Sequence, residues 1–127
     1  MNRRLEMKKY KLIKEKNSEL KRVVALISIP RYRINKGDLG GLIEKEENLS
    51  QDGDAWVYGD ACVYGNACVY GNAWVYGNAR VYGNAWVSGN AWVSDDAMVS
   101  GNAWVYGNAW VSGNARVYGD ARVYGDA

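Results

Sequence analysis

The chain of 127 residues has no His, no Phe and no Thr, and it has only one Pro and two Cys. The absence of His excludes a Ser/His or Cys/His pair, in which the imidazole would activate the nucleophile. Two cysteines without His also fall short of the four Cys or His ligands of an ordinary structural zinc site. These absences favour a protein that is not an enzyme and that needs no metal or cofactor.

Long apolar runs are missing as well. No stretch of 18 apolar residues occurs, so the sequence predicts no membrane-spanning helix and no membrane partner. The basic start lacks the apolar core of a secretory signal peptide. We therefore expect a cytoplasmic protein of one domain, with both cysteines reduced.

Charge is divided unevenly along the chain. Residues 1–36 carry a net charge of +9, whereas residues 37–50 carry −3 and residues 51–127 carry −4. The candidate residues of this basic head are Lys8, Lys9, Lys11, Lys14, Lys21, Arg22, Arg31 and Arg33. Such a head suits an anionic partner such as nucleic acid, but an ordinary solvated surface explains the same pattern and is favoured.

The stretch from Asp54 to Ala127 repeats one six-residue phrase, Ala-x-Val-Tyr/Ser-Gly-Asn/Asp, without insertion or deletion. The Ala and Val positions never vary, but the position between them holds Trp, Cys, Arg or Met. A dry interior cannot accept Arg and Trp interchangeably, because an unpaired buried charge is too costly. The pattern therefore predicts short strands with Ala and Val inward and the variable side chain outward.

A Gly-Asn or Gly-Asp pair separates most strands from the next, and these residue types tolerate a positive φ. The one irregular pair is Asp95-Asp96. Three such corners close a triangular coil of 18 residues, in which residues i and i+18 stack about 4.8 Å apart. The sequence thus predicts an all-β, single-stranded parallel β-helix, with Asn side chains forming ladders along its corners.

Stacking the outward position with a period of 18 predicts three columns of side chains. These are Trp56, Trp74, Trp92 and Trp110; then Cys62, Arg80, Met98 and Arg116; then Cys68, Trp86, Trp104 and Arg122. Stacked indoles protect a strand ladder, but a large exposed aromatic patch usually marks an interface. The candidate binding face therefore comprises the six Trp residues with Arg80 and Arg116. The two cysteines lie on adjacent faces and point apart, so no disulfide between them is expected.

The head, residues 1–36, is expected to be a small hairpin-like β cap on the β-helix of residues 37–127. Lys9–Lys14 reads as an edge strand, Lys16–Glu19 as a turn and Arg22–Ile29 as a strand, with a short helix over Ser18–Ala25 as the competing prediction. Tyr32 and Ile34 are expected to continue an extended alternation. The open apolar end of the first coil needs a cover, for which the candidates are Tyr10, Leu12, Val23, Ala25, Ile27 and Ile29. Leu39, Ile43 and Leu49 are the expected inward residues of an irregular first coil.

The phrase Val-Tyr-Gly-Asn-Ala-Trp, in which Val57 is followed four positions later by Ala61, resembles the hexapeptide repeat of the left-handed parallel β-helix of trimeric acyltransferases. Residues 36–44 with Asn48–Ser50 are similar to the lead-in of bacterial and prophage hexapeptide-repeat proteins of undefined function. This resemblance implies the left hand of the coil. Acyltransferases of the family typically depend on a His general base and on extruded loops, and the repeats here have neither.

The favoured function is a non-enzymatic scaffold that makes protein–protein contacts through its Trp/Tyr face and an open C-terminal edge, as a dimer or trimer or with another protein. One alternative is a phage- or prophage-encoded inhibitor that docks on a host defence nuclease or another nucleic-acid-binding protein. A second alternative is a degenerate acyltransferase. Nucleic acid itself is a less favoured partner, because the repeat region is acidic.

Overall fold

The computed structural model describes residues 8–15 and 18–126, which form a parallel β-solenoid with an antiparallel β cap. The cap strands are β1 (Tyr10–Lys14) and β2 (Lys21–Ala25), and β3 (Leu39–Ile43) joins them to the coils. Twelve two-residue strands follow: β4 (Trp56–Val57), β5 (Cys62–Val63), β6 (Cys68–Val69), β7 (Trp74–Val75), β8 (Arg80–Val81), β9 (Trp86–Val87), β10 (Trp92–Val93), β11 (Met98–Val99), β12 (Trp104–Val105), β13 (Trp110–Val111), β14 (Arg116–Val117) and β15 (Arg122–Val123).

Each strand from β4 to β12 pairs in parallel with the strand 18 residues further on, as the repeat predicts. Val57 lies opposite Val75 and Trp56 opposite Trp74, and the same register continues through the later coils. The Ala and Val side chains fill the bore, and those from Ala55 to Ala109 are fully buried. The predicted coil of 18 residues and the inward placement of Ala and Val are therefore confirmed.

The corners combine a positive φ with stacked polar side chains. Every corner Gly has a positive φ, and Asp95, which stands at the one corner without Gly, adopts φ 59°. The amide of Asn66 donates to Asn84, and that of Asn84 to Asn102, at 3.2 and 3.3 Å. These contacts confirm the predicted Asn ladders.

The cap and the coils share one sheet of seven strands, in the order β1-β2-β3-β5-β8-β11-β14. Strand β2 pairs antiparallel with β1 and β3, and β3 then pairs in parallel with β5. The other two faces are four-stranded, β13-β10-β7-β4 and β15-β12-β9-β6. The cap thus continues one face of the solenoid and also covers its open end, where Tyr10, Val23, Ala25 and Ile29 are buried.

The first coil is irregular, as expected. Ile43 lies opposite Val63 and Leu49 opposite Val69, so both take the place of a Val in the bore. Leu39 was expected to point inward, but it is exposed, because β3 pairs with the coil only at Leu42 and Ile43 and at Leu39 pairs with β2 alone. Gly40 and Gly41 allow β3 to lie close to the coil, since a Cβ on Gly41 would be 2.5 Å from a methyl of Val57.

Four other expectations about the head are wrong. The helix over Ser18–Ala25 does not form, since Lys21–Ala25 is a strand, and that strand ends at Ala25 rather than at Ile29. Ile27 is exposed instead of covering the coil. Tyr32 does not continue an extended alternation, because Pro30–Tyr32 is a 3-10 turn that begins on Pro and ends at Arg33 with φ 58°. The predicted turn at 16–19 lies partly outside the described residues.

Short 3-10 turns at Pro30–Tyr32 and Glu46–Asn48 are the helical segments of the described residues. Neither they nor any other helix in residues 8–15 and 18–126 is long and apolar enough to cross a membrane.

Candidate functional site

The six Trp residues occupy two faces of the solenoid, in the predicted register. Trp56, Trp74, Trp92 and Trp110 lie opposite one another along β4, β7, β10 and β13, and we call them the Trp column. Trp86 and Trp104 lie opposite each other on β9 and β12. All six indoles are outside the bore of the coil.

The cap covers the start of the Trp column. Trp56 is fully buried at 0% exposure, whereas Trp110 is 61% exposed. The expectation that all four indoles form an open binding face is therefore wrong for Trp56, because the head folds over the side of the first coil as well as over its end. The Tyr10 ring meets Trp56 edge to face at 6.4 Å.

Trp74 is covered by the turn that runs from Ile29 to Ile34. The Tyr32 ring stacks on Trp74 with centroids 4.3 Å apart, and its hydroxyl donates to the carbonyl oxygen of Asn72. Burial raises the pKa of Tyr32. Within the described residues, the indole N–H groups of Trp56 and Trp74 have no acceptor, so these two indoles contribute apolar contact and the hydrogen bond comes from the Tyr32 hydroxyl.

The Trp92–Trp110 pair is left open. The two rings are stacked, 5.0 Å between centroids and 2° between planes, as the rise of one coil dictates. A groove of about 330 Å³ runs beside them, lined also by Arg31, Tyr32, Asn90 and Asn108. One end of this groove is therefore closed by the ring that covers Trp74.

The Trp86–Trp104 pair is the second open cluster. Its rings are stacked 5.1 Å apart and each is 38% exposed. The Arg122 guanidinium lies 5.2 Å from the Trp104 ring, a cation–π contact. Tyr70 meets Trp86 edge to face, and a groove of about 570 Å³ extends from these rings to Leu49 and the rim carboxylates of Glu46 and Glu47.

The two open pairs flank one corner of the solenoid. Between Trp86 and Trp92, and again between Trp104 and Trp110, the chain turns through the corner that holds Asn90 and Asn108. The amide of Asn90 donates to Asn108 at 3.2 Å, which fixes the ridge between the pairs. Arg80 and Arg116, the other predicted site residues, lie on the third face with Met98 between them and are not brought together with the indole pairs.

Much of the predicted basic head is engaged within the protein. Lys9 is 1% exposed and donates to the carbonyls of Gly53 and Ala55, and Lys21 donates to the carbonyl of Glu44. Ion pairs join Lys8 to Glu46, Arg22 to Glu15 and Arg31 to Asp54. The exposed cations of the described head that remain without a described acid partner are Lys11, Lys14, Arg33 and Lys36, which was not among the candidates. The head therefore presents less free charge than its sequence indicates.

Cys62 and Cys68, together with the described acids, are the residue types that can ligate a metal ion. Cys62 and Cys68 are free and half-buried, and burial raises the pKa of both thiols, which lowers the thiolate fraction. In the part of the chain that the structure describes, no group of three or more Cys, Asp or Glu is arranged to hold a metal ion.

The signals that sequence reasoning missed lie in the cap. Tyr32 lies two residues after the single Pro, but nothing in the local pattern shows that its ring reaches Trp74, 42 positions further on. Gln51 was also missed, although its side-chain oxygen accepts from the backbone N–H of Lys9 at 2.7 Å and so anchors the start of β1. Both contacts are long-range, and neither residue belongs to the repeat.

Fold and surface together define a β-solenoid repeat protein with exposed aromatic clusters. Residues 61–77, 73–89, 79–95, 91–107 and 115–127 match the family model described as YdcK beta solenoid repeat. The repeats of this chain are thus similar to that family, and they build about five turns. A comparison with curated proteins gives no match. The finer likeness to hexapeptide acyltransferases and the left hand of the coil stay predictions.

Proposed function

We propose that this protein is a non-enzymatic binding protein, a rigid β-solenoid that contacts another protein or a second copy of itself through its open indole pairs. The observation that carries the proposal is the pair of stacked, exposed clusters, Trp92–Trp110 and Trp86–Trp104, on either side of one corner. Large aromatic side chains left in water are unfavourable, and they dominate the binding energy of protein interfaces.

The rigidity of the ladder supports the same function. Each ring stands on a strand whose neighbours are fixed by parallel pairing, so its position is set before any partner arrives. A preorganised side chain loses little conformational freedom on binding, which leaves more of the contact energy as affinity. The corner between the pairs further suits a partner that contacts two faces at once.

The test is the double variant Trp92→Met/Trp110→Met. Met98 occupies the equivalent outward position, so the coil accepts this residue there. We expect the variant to lose self-association, measured by light scattering against the monomer mass of 14.1 kDa, or to lose binding to a purified partner first identified by pull-down from the native host. Arg80→Met, on the third face, is the control and should behave as the wild type. Unchanged mass and unchanged partner binding in the double variant would refute the proposal.

Three sequence hypotheses stay predictions beside this one. The inhibitor hypothesis uses the head, and removal of residues 1–36 should abolish docking if the head contacts the target. The acyltransferase hypothesis requires turnover of an acyl-coenzyme A substrate. Pairing through the C-terminal edge requires that variants of the last strands change the mass in solution while the Trp variants do not.

A further inference from the structure

Within the chain, the Tyr32 side chain already occupies a site on the Trp column. Tyr32 stacks on Trp74 at 4.3 Å with 26° between the planes, and its hydroxyl donates to the Asn72 carbonyl, which lies at the corner two residues earlier. The coil's own backbone ladder does not use that carbonyl. The site is therefore an indole surface next to an unused acceptor, filled by a phenol.

The repeat copies this arrangement twice along the Trp column, and Asn84 with Trp86 and Asn102 with Trp104 have the same spacing on the neighbouring face. One coil further on, Trp92 takes the place of Trp74 and Asn90 that of Asn72, and one more coil on they are Trp110 and Asn108. All four of these residues line the groove of about 330 Å³ beside Tyr32. Among the described residues, no donor reaches the carbonyl oxygen of Asn90 or of Asn108.

The copies differ from the original in one respect. The Trp74 ring stands at 88° to Trp92, whereas Trp92 and Trp110 are parallel within 2°. Trp74, on which the Tyr32 ring stacks, is thus the indole whose plane is rotated relative to its neighbour. Trp110 is 61% exposed, so its ring is open to another ring, whereas Trp92 is partly exposed and lies between Trp74 and Trp110.

We propose that this groove is a binding site for a tyrosine side chain of a protein partner, whose ring stacks on Trp92 or Trp110 and whose hydroxyl donates to the carbonyl of Asn90 or Asn108. The proposal rests on the proposed function, and it specifies the chemistry of the partner segment. The groove adjoins the Tyr32–Trp74 stack, and the proposed occupant is the same type of side chain as Tyr32. A phenylalanine offers the ring but not the donor, so it is the weaker ligand.

The experiment follows the indole N–H signals by NMR in the full chain while N-acetyl-tyrosine amide is added. We expect saturable shifts of the Trp92 and Trp110 signals in the millimolar range, with little change at Trp86 and Trp104, because Tyr70 and Arg122 already contact these two rings. N-acetyl-phenylalanine amide should bind roughly 2- to 10-fold more weakly, as expected for the loss of one hydrogen bond. Equal response of both indole pairs, equal binding of the two amides, or no saturable shift would overturn the proposal.

Three variants are compared, so that the test does not depend on the folding of any single one. Trp110→Met should weaken binding of the tyrosine amide, and Trp104→Met, the same change in the other cluster, should not. Tyr32→Ala empties the original site, and the tyrosine amide should then also shift the Trp74 signal. Absence of a Trp74 response in a folded Tyr32→Ala variant would contradict the inference from the internal contact.

The proposed interface and the proposed tyrosine site can be refuted independently of each other. If Trp92→Met/Trp110→Met changes assembly or partner binding but the tyrosine amide does not bind, the tyrosine chemistry is wrong and the interface stands. If the tyrosine amide binds as described but assembly and partner binding ignore the double variant, the groove recognises tyrosine and the interface lies elsewhere.

Discussion

Lys9 shows at the scale of one residue how the cap changes the meaning of a sequence feature. Its side chain is 1% exposed and its ammonium donates to the carbonyl of Ala55 at 2.6 Å and to that of Gly53 at 3.3 Å. Burial lowers the pKa of Lys9 to about 8, and the nearby Asp54 and Asp52 only partly oppose this effect. A lysine that the sequence assigns to a charged surface thus joins the head to the first corner of the solenoid.

The lowered pKa predicts how stability depends on pH. The ordinary value is 10.5 and the folded value about 8, so between these values the unfolded chain binds the proton more readily than the folded chain. Lys9 should therefore contribute a rise in the free energy of unfolding as the pH increases from 8 toward 10, because the neutral amine is buried without penalty and still has two N–H donors for two carbonyls. The raised pKa values of the Cys62 and Cys68 thiols oppose this rise in the same range, so the Lys9 contribution is obtained as the difference from a variant without the amine. Urea unfolding at several pH values measures this slope.

The variant Lys9→Met removes the titrating group and serves as the control for that slope. It should be less stable than the wild type near neutral pH if the two hydrogen bonds matter, but its stability should not rise between pH 8 and 10. Measurements above pH 10 are not informative for Lys9, because burial raises the pKa of Tyr10 and this has the opposite effect on stability there. The same upward slope in both proteins would contradict the assignment to Lys9.

At the scale of the element, the corners stack backbone directly on backbone. A Cβ on Gly89, where φ is 65°, would lie 2.9 Å from the nitrogen of Gly107 in the next coil. Gly113 has nearly the same φ, 63°, but a Cβ there meets nothing within 4 Å. Glycine is therefore favoured at the corners for two separate reasons: the backbone is left-handed, and there is little space between the coils.

This pair of glycines separates the two causes. Gly113→Ala should lower the free energy of unfolding by about 1–2 kcal/mol, the cost of a left-handed conformation for a residue with a Cβ. Gly89→Ala should lower it by about 1–3 kcal/mol more, because the neighbouring coil must also shift. Urea unfolding of the two single variants measures the difference. Equal losses would show that the contact between coils contributes nothing.

At the scale of the whole molecule, apolar contacts and buried hydrogen bonds hold the head to the solenoid, and ion pairs contribute little. Tyr10 covers Trp56 and Tyr32 covers Trp74, whereas the Arg31–Asp54 and Lys8–Glu46 pairs are about half exposed to solvent. Exposed ion pairs contribute about 0–1 kcal/mol each and are screened by salt. The excess charge of the head is therefore not what attaches it.

Salt and two neighbouring substitutions test this attachment. Raising the NaCl concentration to about 1 M should change the free energy of unfolding by less than about 1 kcal/mol per ion pair, with the head still resistant to protease. Arg31→Gln should have a similarly small effect. Tyr32→Ala, one residue further on, should cost about 1–3 kcal/mol, because it removes an aromatic stack and a hydrogen bond. Release of the head by salt alone would refute this account.

The sequence by itself determined the repeat region, namely its coil of 18 residues, the inward Ala and Val, the outward variable position and the corners. It could do so because each regular coil has a copy of itself as its neighbour, so that the interactions of Val75 or Trp92 recur with the period of the sequence. The position of a residue within the six-residue phrase was then enough to predict whether its side chain points into the bore or outward.

Only the tertiary structure decided which of these outward side chains are available. Trp56 and Trp110 have the same place in the phrase, yet one is fully buried and the other is 61% exposed. The difference comes from Tyr10 and from β3 at Gly40, which both lie against Trp56, while Tyr32 covers Trp74 in the next coil. Such contacts follow no period, because the head occurs once and has no copy of itself as a neighbour. The candidate site is for this reason the part of the repeat that the head leaves uncovered.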